Sequence, residues 1–276
     1  MERNITLKKE EEEEIFYSPE RVIMEEEKDD RNNGAINNGY DECSVEEEKK
    51  LNHMRAILQN QDPACKELDH LMLRRFLRAR DLDAEKACAM FIKYLKWRQT
   101  FVLKGFISAS EVRNEIAQNK LFMQGKDKKG RPILVGFAAR HFACKEDADE
   151  LRRYVVFTLD KLCSRIPDGE EKFIVIGDLQ GIGYCNKDIR GCIAALSILQ
   201  DYYPERLEKL FLIHVPYIFM TAWKICFYPF IDKSNNKKIV FVKNKKLKAT
   251  LMEDIDESEL LEIYGGQLQM VPIQDA

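Results

Sequence analysis

The sequence lacks the features of a membrane-spanning, secreted or disulfide-bonded chain. None of its 276 residues belong to a run of about 18 apolar residues, so we expect no transmembrane helix. The start Met1-Glu2-Arg3-Asn4 soon becomes acidic, unlike a secretory signal, which needs a basic start and an apolar stretch. The eight cysteines are scattered without a C-x-x-C pair, so we expect reduced thiols in a cytosolic protein and no metal site.

The sequence also lacks the catalytic and nucleotide-binding motifs of common enzymes. There is no G-x-x-x-x-G-K-[ST] phosphate loop and no G-x-S-x-G nucleophile elbow. Gly177, Gly181 and Gly183 follow an apolar run but do not make G-x-G-x-x-G. Among four histidines, His214 ends a predicted strand, where a structural role is more typical than catalysis, and Asp178 is expected to cap the turn after its strand. We therefore predict that the protein is not an enzyme.

The net charge of −3 hides two unlike parts. Residues 1–48 contain 17 acidic and six basic residues, whereas residues 49–276 contain 30 acidic and 38 basic ones, so the two net charges are −11 and +8. The acidic part has few large apolar side chains, and we predict that residues 1–43 form a disordered acidic tail. Either the tail is merely solvated, or it is autoinhibitory and competes with an anionic partner for the basic remainder.

The positive remainder indicates attraction to an anionic partner. Its basic residues are dispersed, with the densest groups at 126–129 and 237–246, and no zinc-finger or RNP-type motif accompanies them. An anionic membrane surface is therefore favoured over nucleic acid, which we do not expect as a partner.

Residues 44–118 have the pattern of a small helical bundle. Apolar side chains recur at helical spacing, and Asp62-Pro63 is expected to end the first helix. Residues that favour helix N-caps precede the four predicted helices, at Ser44, Asp69, Asp83 and Ser108.

Residues 119–268 alternate between strands and helices, and residues 269–276 form a C-terminal tail. The run Phe173-Ile174-Val175-Ile176 suits a strand covered on both faces. The βαβαβ alternation predicts an α/β fold with a mostly parallel sheet and right-handed crossovers. The predicted strands lie at 121–123, 133–137, 173–176, 210–213 and 239–242, with helices near 151–162, 187–201 and 217–229.

Residues 217–230 form an unusually apolar predicted helix in which only Lys224 is charged. Its roughly 21 Å length, at 1.5 Å per residue, is too short to cross a bilayer. A helix that is apolar all round is either buried in a core or packed against lipid. Two interpretations follow: a core helix of the α/β sheet, or a lid over an apolar cavity that dips into a membrane surface.

With these motifs, the chain resembles the Sec14-like (CRAL-TRIO) lipid-binding proteins, and in particular single-domain phosphatidylinositol transfer proteins of the plant type. The resemblance covers about residues 45–268. It rests on strings that recur in order, namely 73–80 (LRRFLRAR), 127–132 (DKKGRP), 200–207 (QDYYPERL), Pro216, Trp223-Lys224, 229–232 (PFID), Lys238-Ile239 and 264–266 (YGG).

The resemblance implies a helical CRAL-TRIO-N lobe over 44–118 and a CRAL-TRIO lobe over 119–268, whose sheet floors an apolar lipid pocket. It also implies that the apolar helix is a mobile gate. The gate residues expected from this are Phe219, Trp223, Phe227 and Phe230.

By resemblance, the phosphate of an inositol lipid is held by an Arg, a Lys, a Thr and a Glu. These positions fall on Arg80, Lys238, Asn235 and Glu205, so asparagine replaces the threonine. The small hydroxyl side chains that the family uses for phosphatidylcholine fall on Phe173 and Val175, which line the expected pocket and carry no hydroxyl. The resemblance therefore implies phosphatidylinositol as a ligand and puts phosphatidylcholine in doubt.

We accordingly expect a non-enzymatic protein that exchanges phosphatidylinositol between membranes, with a bound phospholipid and no other cofactor. The expected partners are phosphatidylinositol, transiently contacted membrane surfaces and, in signalling, lipid kinases. The expected location is the cytoplasm, with peripheral membrane association. Two alternatives stay open: a scaffold that holds its lipid and presents it, and a carrier of a non-phosphorylated hydrophobe similar to a tocopherol or retinoid.

Overall fold

The computed structural model describes residues 44–61, 68–143, 148–217, 219, 223 and 227–275. The predicted acidic tail, residues 1–43, lies outside the described residues. The α-helices are α1 (Val45–Gln61), α2 (His70–Arg78), α3 (Ala84–Phe101), α4 (Arg113–Ala117), α5 (Ala148–Cys163), α6 (Ile189–Tyr202), α7 (Lys233–Asn236) and α8 (Leu247–Asp254). The strands are β1 (Leu121–Lys126), β2 (Pro132–Phe137), β3 (Phe173–Asp178), β4 (Leu207–Ile213) and β5 (Ile239–Phe241).

Helices α1 to α3 begin and pack as the sequence predicts. The side chain of Asp69 accepts hydrogen bonds from the first turn of α2, and the side chain of Asp83 does the same for α3. The apolar stripes of the three helices form a separate core, in which Phe76 meets Phe91 edge to face with ring centroids 5.0 Å apart.

The five-stranded sheet has the strand order β1-β2-β3-β4-β5. Strands β1 and β2 form an antiparallel pair, and every later neighbour is parallel, so the predicted α/β class with a mostly parallel sheet is confirmed. Sequential parallel strands with crossovers of one hand place the connecting helices on one face of the sheet. Alternate residues of β3 show this: Phe173 packs in the cluster with α5 and α6, whereas Ile174 and Ile176 pack on the opposite face with α8.

The DKKGRP string proves to be a structural turn between β1 and β2. The carboxylate of Asp127 accepts hydrogen bonds from the backbone amides of Lys129 and Arg131, at 2.9 and 2.8 Å, and Gly130 supplies a left-handed φ of 82°. The guanidinium of Arg131 also pairs with Glu208 of β4 at 2.6 Å. The turn therefore ties the hairpin to the sheet and does not lie at the ligand site.

Strands β1 and β3 end at Lys126 and Asp178, later than predicted, and two further differences from prediction have a visible cause. Strand β4 begins at Leu207, three residues earlier than the apolar run, because Glu208 and Lys209 find partners at the sheet surface in Arg131 and Asp254. The apolar segment is helical at Tyr217, Phe219 and Trp223, but Tyr228–Phe230 form a 3₁₀ turn with Pro229 near its start. No described helix has the length and hydropathy to cross a membrane.

The helical part is fastened to the sheet part by aromatic and charged contacts. The indole of Trp97 on α3 stacks on Tyr202 at the end of α6, with centroids 3.8 Å apart. Next to this stack, Asp160 of α5 accepts hydrogen bonds from Arg98 at 2.8 Å and from the Tyr203 hydroxyl at 2.6 Å. These contacts join α3, α5 and α6 along one seam.

Candidate ligand cavity

A cavity of about 430 Å³ lies between the sheet, α5, α6 and the apolar segment 217–231. Its floor consists of the side chains that β2 to β5 direct to this face, among them Leu134, Leu210 and Ile239. The opposite wall is the inner face of α5 and α6. The lining is predominantly apolar, which is typical of a site for a hydrophobic ligand.

The two predicted floor residues, Phe173 and Val175, both line the cavity. They belong to the central strand β3, where Val175 stands opposite Leu134 of β2 and Leu210 of β4. Phe173 is fully buried. This part of the floor therefore presents no hydroxyl group.

Three of the four predicted gate residues form one aromatic cluster over the cavity. Trp223 lies between Phe219 and Phe227, with ring centroids at 5.9 and 5.3 Å, and meets Phe241 of β5 edge to face at 5.7 Å. All three gate rings line the cavity. Phe230 is different: it lies in the 3₁₀ turn after the helix, is 52% exposed, and is fixed through its carbonyl oxygen, which accepts a hydrogen bond from Gln200.

The structure brings together three of the four predicted phosphate residues at the amino ends of the parallel strands. The Nζ of Lys238 lies 3.2 Å from a carboxylate oxygen of Glu205, and both side chains are partly buried. Asn235 lines the cavity, and its carbonyl oxygen accepts the backbone N–H of Lys238 at 3.0 Å. Lys238 and Glu205 do not belong to the cavity lining, so it is Asn235 that connects this group to the cavity. We call the group of Glu205, Asn235 and Lys238 the mouth.

The fourth predicted residue, Arg80, does not line the cavity. It lies in the turn after α2, where its guanidinium donates to the carbonyl of Ala79 at 2.7 Å. The hydrogen bond to Asp201 raises the pKa of Lys93, and the charge of Arg80 opposes that rise, so Arg80 acts on the region of Lys93. Asp201 lies in the last turn of α6, before the loop of Glu205.

Backbone strain marks both of these loops. Asp81 and Leu82, directly after Arg80, have φ values of 52° and 62°, and Glu205 has a φ of 56°. Residues other than glycine, asparagine and aspartate seldom adopt this left-handed region of backbone conformation. Such strain persists where the surrounding structure enforces it, often at a functional site.

At the carboxyl ends of the strands, a polar network that the sequence did not reveal closes the cavity. Lys120 pairs with the buried carboxylate of Glu115 and also donates to Gln118 at 3.1 Å and to Nδ1 of His141 at 2.7 Å. Because an ammonium group only donates, Nδ1 of His141 is the acceptor and its Nε2–H faces Asp188 at 3.1 Å. Burial lowers the pKa of His141, and the charge of Lys120 lowers it further.

Sequence reasoning also missed two cavity residues on α5. Tyr154 and Thr158 line the cavity beside Val155 and Leu159. Their helical spacing within an apolar stripe was visible in the sequence and was the available signal. It does not distinguish a hydroxyl that is satisfied in a core from one that faces a cavity.

The two residues singled out after strands have structural partners. The carboxylate of Asp178 accepts a backbone hydrogen bond from Gln180 at 2.8 Å and one from the hydroxyl of Tyr264 at 2.9 Å, and it lies 2.9 Å from Nδ1 of His214. This cluster connects the end of β3 to the segment after α8. It lies outside the cavity lining.

Comparison with known proteins agrees with this architecture. The CRAL/TRIO domain family matches residues 117–266. The chain is 30% identical over 236 residues to the Sec14 cytosolic factor of Schizosaccharomyces pombe, covering 79% of this chain and 82% of that protein. It is 32% identical to phosphatidylinositol/phosphatidylcholine transfer protein SFH7 of Arabidopsis thaliana, covering 83% of this chain but only 44% of that protein.

The crystal structure of Sfh5 has a similar fold, with a TM-score of 0.58 at 16% identity, over 75% of this chain and 83% of that one. The family match spans the sheet, α5, α6 and the mouth, and the Sec14 similarity extends over most of the chain. The chain therefore belongs to the CRAL/TRIO family and is a Sec14-like member of it.

Proposed function

We propose that the protein binds phosphatidylinositol in the cavity and exchanges it between membranes without chemical conversion. The observation that carries the proposal is the mouth: Asn235 lines an apolar cavity, and three residues further along the chain Lys238 pairs with Glu205. Relatives whose names describe phosphatidylinositol transfer support it.

The mouth supplies the chemistry that an inositol phosphate headgroup requires. A lysine ammonium is a compact point charge that suits a phosphate, and Arg80 offers a guanidinium on the neighbouring loop. The carboxylate of Glu205 holds Lys238 in place and can accept hydrogen bonds from sugar hydroxyls. Asn235 can donate through its amide where the family has a threonine.

The cavity volume indicates how the acyl chains are held. A cavity of about 430 Å³ with an apolar lining suits the acyl chains of a lipid. Transfer of these chains out of water contributes about 0.8 kcal/mol per methylene, so the cavity shields them from water, whereas release into a second bilayer leaves this contribution unchanged. We propose that the aromatic cluster of Phe219, Trp223 and Phe227 moves outward to admit the lipid, which is the gate motion.

We further propose that phosphatidylcholine is not the second ligand. Phe173 and Val175 give the central strand an apolar surface without hydroxyls for a choline headgroup. The double variant Phe173→Ser/Val175→Thr is expected to gain phosphatidylcholine binding that the unmodified protein lacks. Tight phosphatidylcholine binding by the unmodified protein would refute this part.

A protein that exchanges a lipid between membranes without converting it has to move between them. We propose that it is located in the cytosol and contacts membranes peripherally and transiently. The name of the Schizosaccharomyces pombe relative, a cytosolic factor, supports this location. A headgroup held at the mouth would also be accessible to a lipid kinase, which we propose as a partner.

The test is transfer of labelled phosphatidylinositol between vesicles by the unmodified protein, by Lys238→Ala and by Lys237→Ala. Hydrogen bonds to charged groups contribute about 1.5–3 kcal/mol, so Lys238→Ala should lower phosphatidylinositol affinity at least about tenfold. Lys237 is the exposed neighbour and serves as the matched control, with transfer unchanged. Equal transfer by both variants would contradict the assignment of the mouth.

A further inference from the structure

Two side chains of α5 that line the cavity carry buried hydroxyl groups without a hydrogen-bond partner in the described part of the chain. Tyr154 is 1% exposed and Thr158 is 2% exposed, and both line the cavity. Among the described residues, neither Tyr154 Oη nor Thr158 Oγ1 makes a hydrogen bond. An unsatisfied buried hydroxyl is costly, so native structures usually provide it with a partner.

Their position on the helix places both side chains in the wall of the cavity. They stand four residues apart on α5, and Leu151, Val155 and Leu159, which share that face, line the cavity too. The hydroxyls therefore interrupt an otherwise apolar wall. A ligand that enters the cavity is the available source of the missing hydrogen bonds.

The surroundings select a neutral oxygen over a charged group. The ammonium of Lys120, which lies 5.4 Å from the Tyr154 ring centroid, already donates to Glu115, Gln118 and His141. Both ring nitrogens of His141 are occupied as well. Lys120 is the only lysine or arginine among the described lining residues, so no unpaired cation of that kind is available to a carboxylate or phosphate. One carboxylate oxygen of Glu115 has no hydrogen-bond partner among the described residues.

The protonation state of Tyr154 agrees with a neutral hydrogen-bonding partner. Burial raises the pKa of the Tyr154 phenol, with a further contribution from the charge of Glu115, so the group remains a hydrogen-bond donor at neutral pH.

We propose that Tyr154 and Thr158 form an inner hydrogen-bonding site for a neutral oxygen of the bound lipid, of the ester carbonyl type. The site is distinct from the mouth, since it lies on α5, whereas the mouth is formed by Glu205, Asn235 and Lys238. It deepens the proposed function by naming the class of lipid group that the interior recognises, and it rests on the cavity, not on the phosphate assignment.

The test compares methyl laurate with pentadecane, which has the same number of non-hydrogen atoms and no oxygen. The purified protein is incubated with vesicles that contain both probes in equal amounts and is then re-isolated. Gas chromatography with mass spectrometry gives the bound ester-to-hydrocarbon ratio. Neither probe carries a phosphate, so the ratio reports on the inner site whether or not the mouth binds phosphatidylinositol.

The variant is Tyr154→Phe/Thr158→Val, which removes both hydroxyls at nearly constant shape. Two neutral hydrogen bonds of ordinary strength predict that the ratio falls at least about fivefold. Tyr184→Phe, an exposed tyrosine, is the matched control and should keep the ratio. Circular dichroism establishes that the double variant is folded, and the single changes Tyr154→Phe and Thr158→Val replace it if it is not.

An unchanged ratio in a folded variant would overturn the proposal, because the hydroxyls would then be held by buried water or by nothing that the lipid supplies. A fall in the ratio together with failed phosphatidylinositol transfer would support the inner site and refute only the mouth.

Discussion

Truncation of Trp223 to alanine is expected to accelerate lipid release. The indole is 8% exposed and makes ring contacts with Phe219, Phe227 and Phe241 at 5.9, 5.3 and 5.7 Å. Removal of a buried tryptophan side chain typically costs about 3–5 kcal/mol. The indole also packs with Phe241 of β5 and Leu212 of β4, and opening would break these contacts, so we assign the loss to the closed state of the gate.

A loss of about 3 kcal/mol shifts the gate equilibrium towards the open state by about 100-fold. If opening limits release, the release rate of a bound lipid rises accordingly, and we expect an increase of at least about tenfold. The loss in the free energy of global unfolding cannot exceed the free energy of gate opening, because the fold with an open gate no longer depends on the indole.

The assay is stopped-flow release of pyrene-labelled phosphatidylinositol to acceptor vesicles, together with urea unfolding of the same proteins. Trp97→Ala is the matched control, since Trp97 stacks on Tyr202 between α3 and α6 and lies away from the gate. It should lower stability without changing release. If Trp223→Ala lost the full 3–5 kcal/mol of global stability at an unchanged release rate, the segment would be a core helix and the gate would be refuted.

Three further predictions concern stability and charge. Tyr264→Phe removes one hydrogen bond to the buried Asp178 carboxylate and should lower the unfolding free energy in urea by about 1.5–3 kcal/mol; no change would show that the bond contributes nothing. The pKa of His141 is lowered by burial and by Lys120, so below about pH 6.5 the unfolded chain binds a proton that the folded chain does not bind. The free energy of unfolding should therefore decrease as the pH is lowered. His141→Gln should remove that part of the pH dependence in thermal unfolding, and an unaltered pH profile would contradict the assignment. Deletion of residues 1–43 removes 14 acidic and six basic residues and changes the net charge from −3 to +5, so sedimentation with anionic vesicles should increase at low salt and the gain should shrink as salt rises; equal binding would refute shielding by the tail.

The fold was predictable because its signals are local. Strands covered on both faces appear in the sequence as continuous apolar runs, and helices covered on one face appear as apolar residues at helical spacing. The aspartate caps of α2 and α3 accept hydrogen bonds from amides two or three residues away. The boundary errors have the opposite origin. Strand β4 extends to Leu207 because Glu208 is paired with Arg131, a partner in the turn between β1 and β2 that local periodicity cannot show.

The candidate site divides in the same way. Glu205, Asn235 and Lys238 are predicted through resemblance, and the Lys238–Glu205 pair depends on the parallel pairing of β4 with β5. The network of Lys120 and His141 joins residues from separate loops, and neither residue type in isolation indicates a partner. Whether a hydroxyl on α5 is satisfied is a property of the packed interior, so the sequence could not single out Tyr154 and Thr158.

The most direct test of the central claim is mass spectrometry of lipids that remain bound after incubation with vesicles of mixed composition. The unmodified protein and Lys238→Ala are run side by side. The account predicts that phosphatidylinositol is captured by the unmodified protein and lost from the variant. A neutral hydrophobe in the cavity, or phosphatidylinositol held equally by both proteins, would contradict the assignment of Lys238 to the headgroup phosphate.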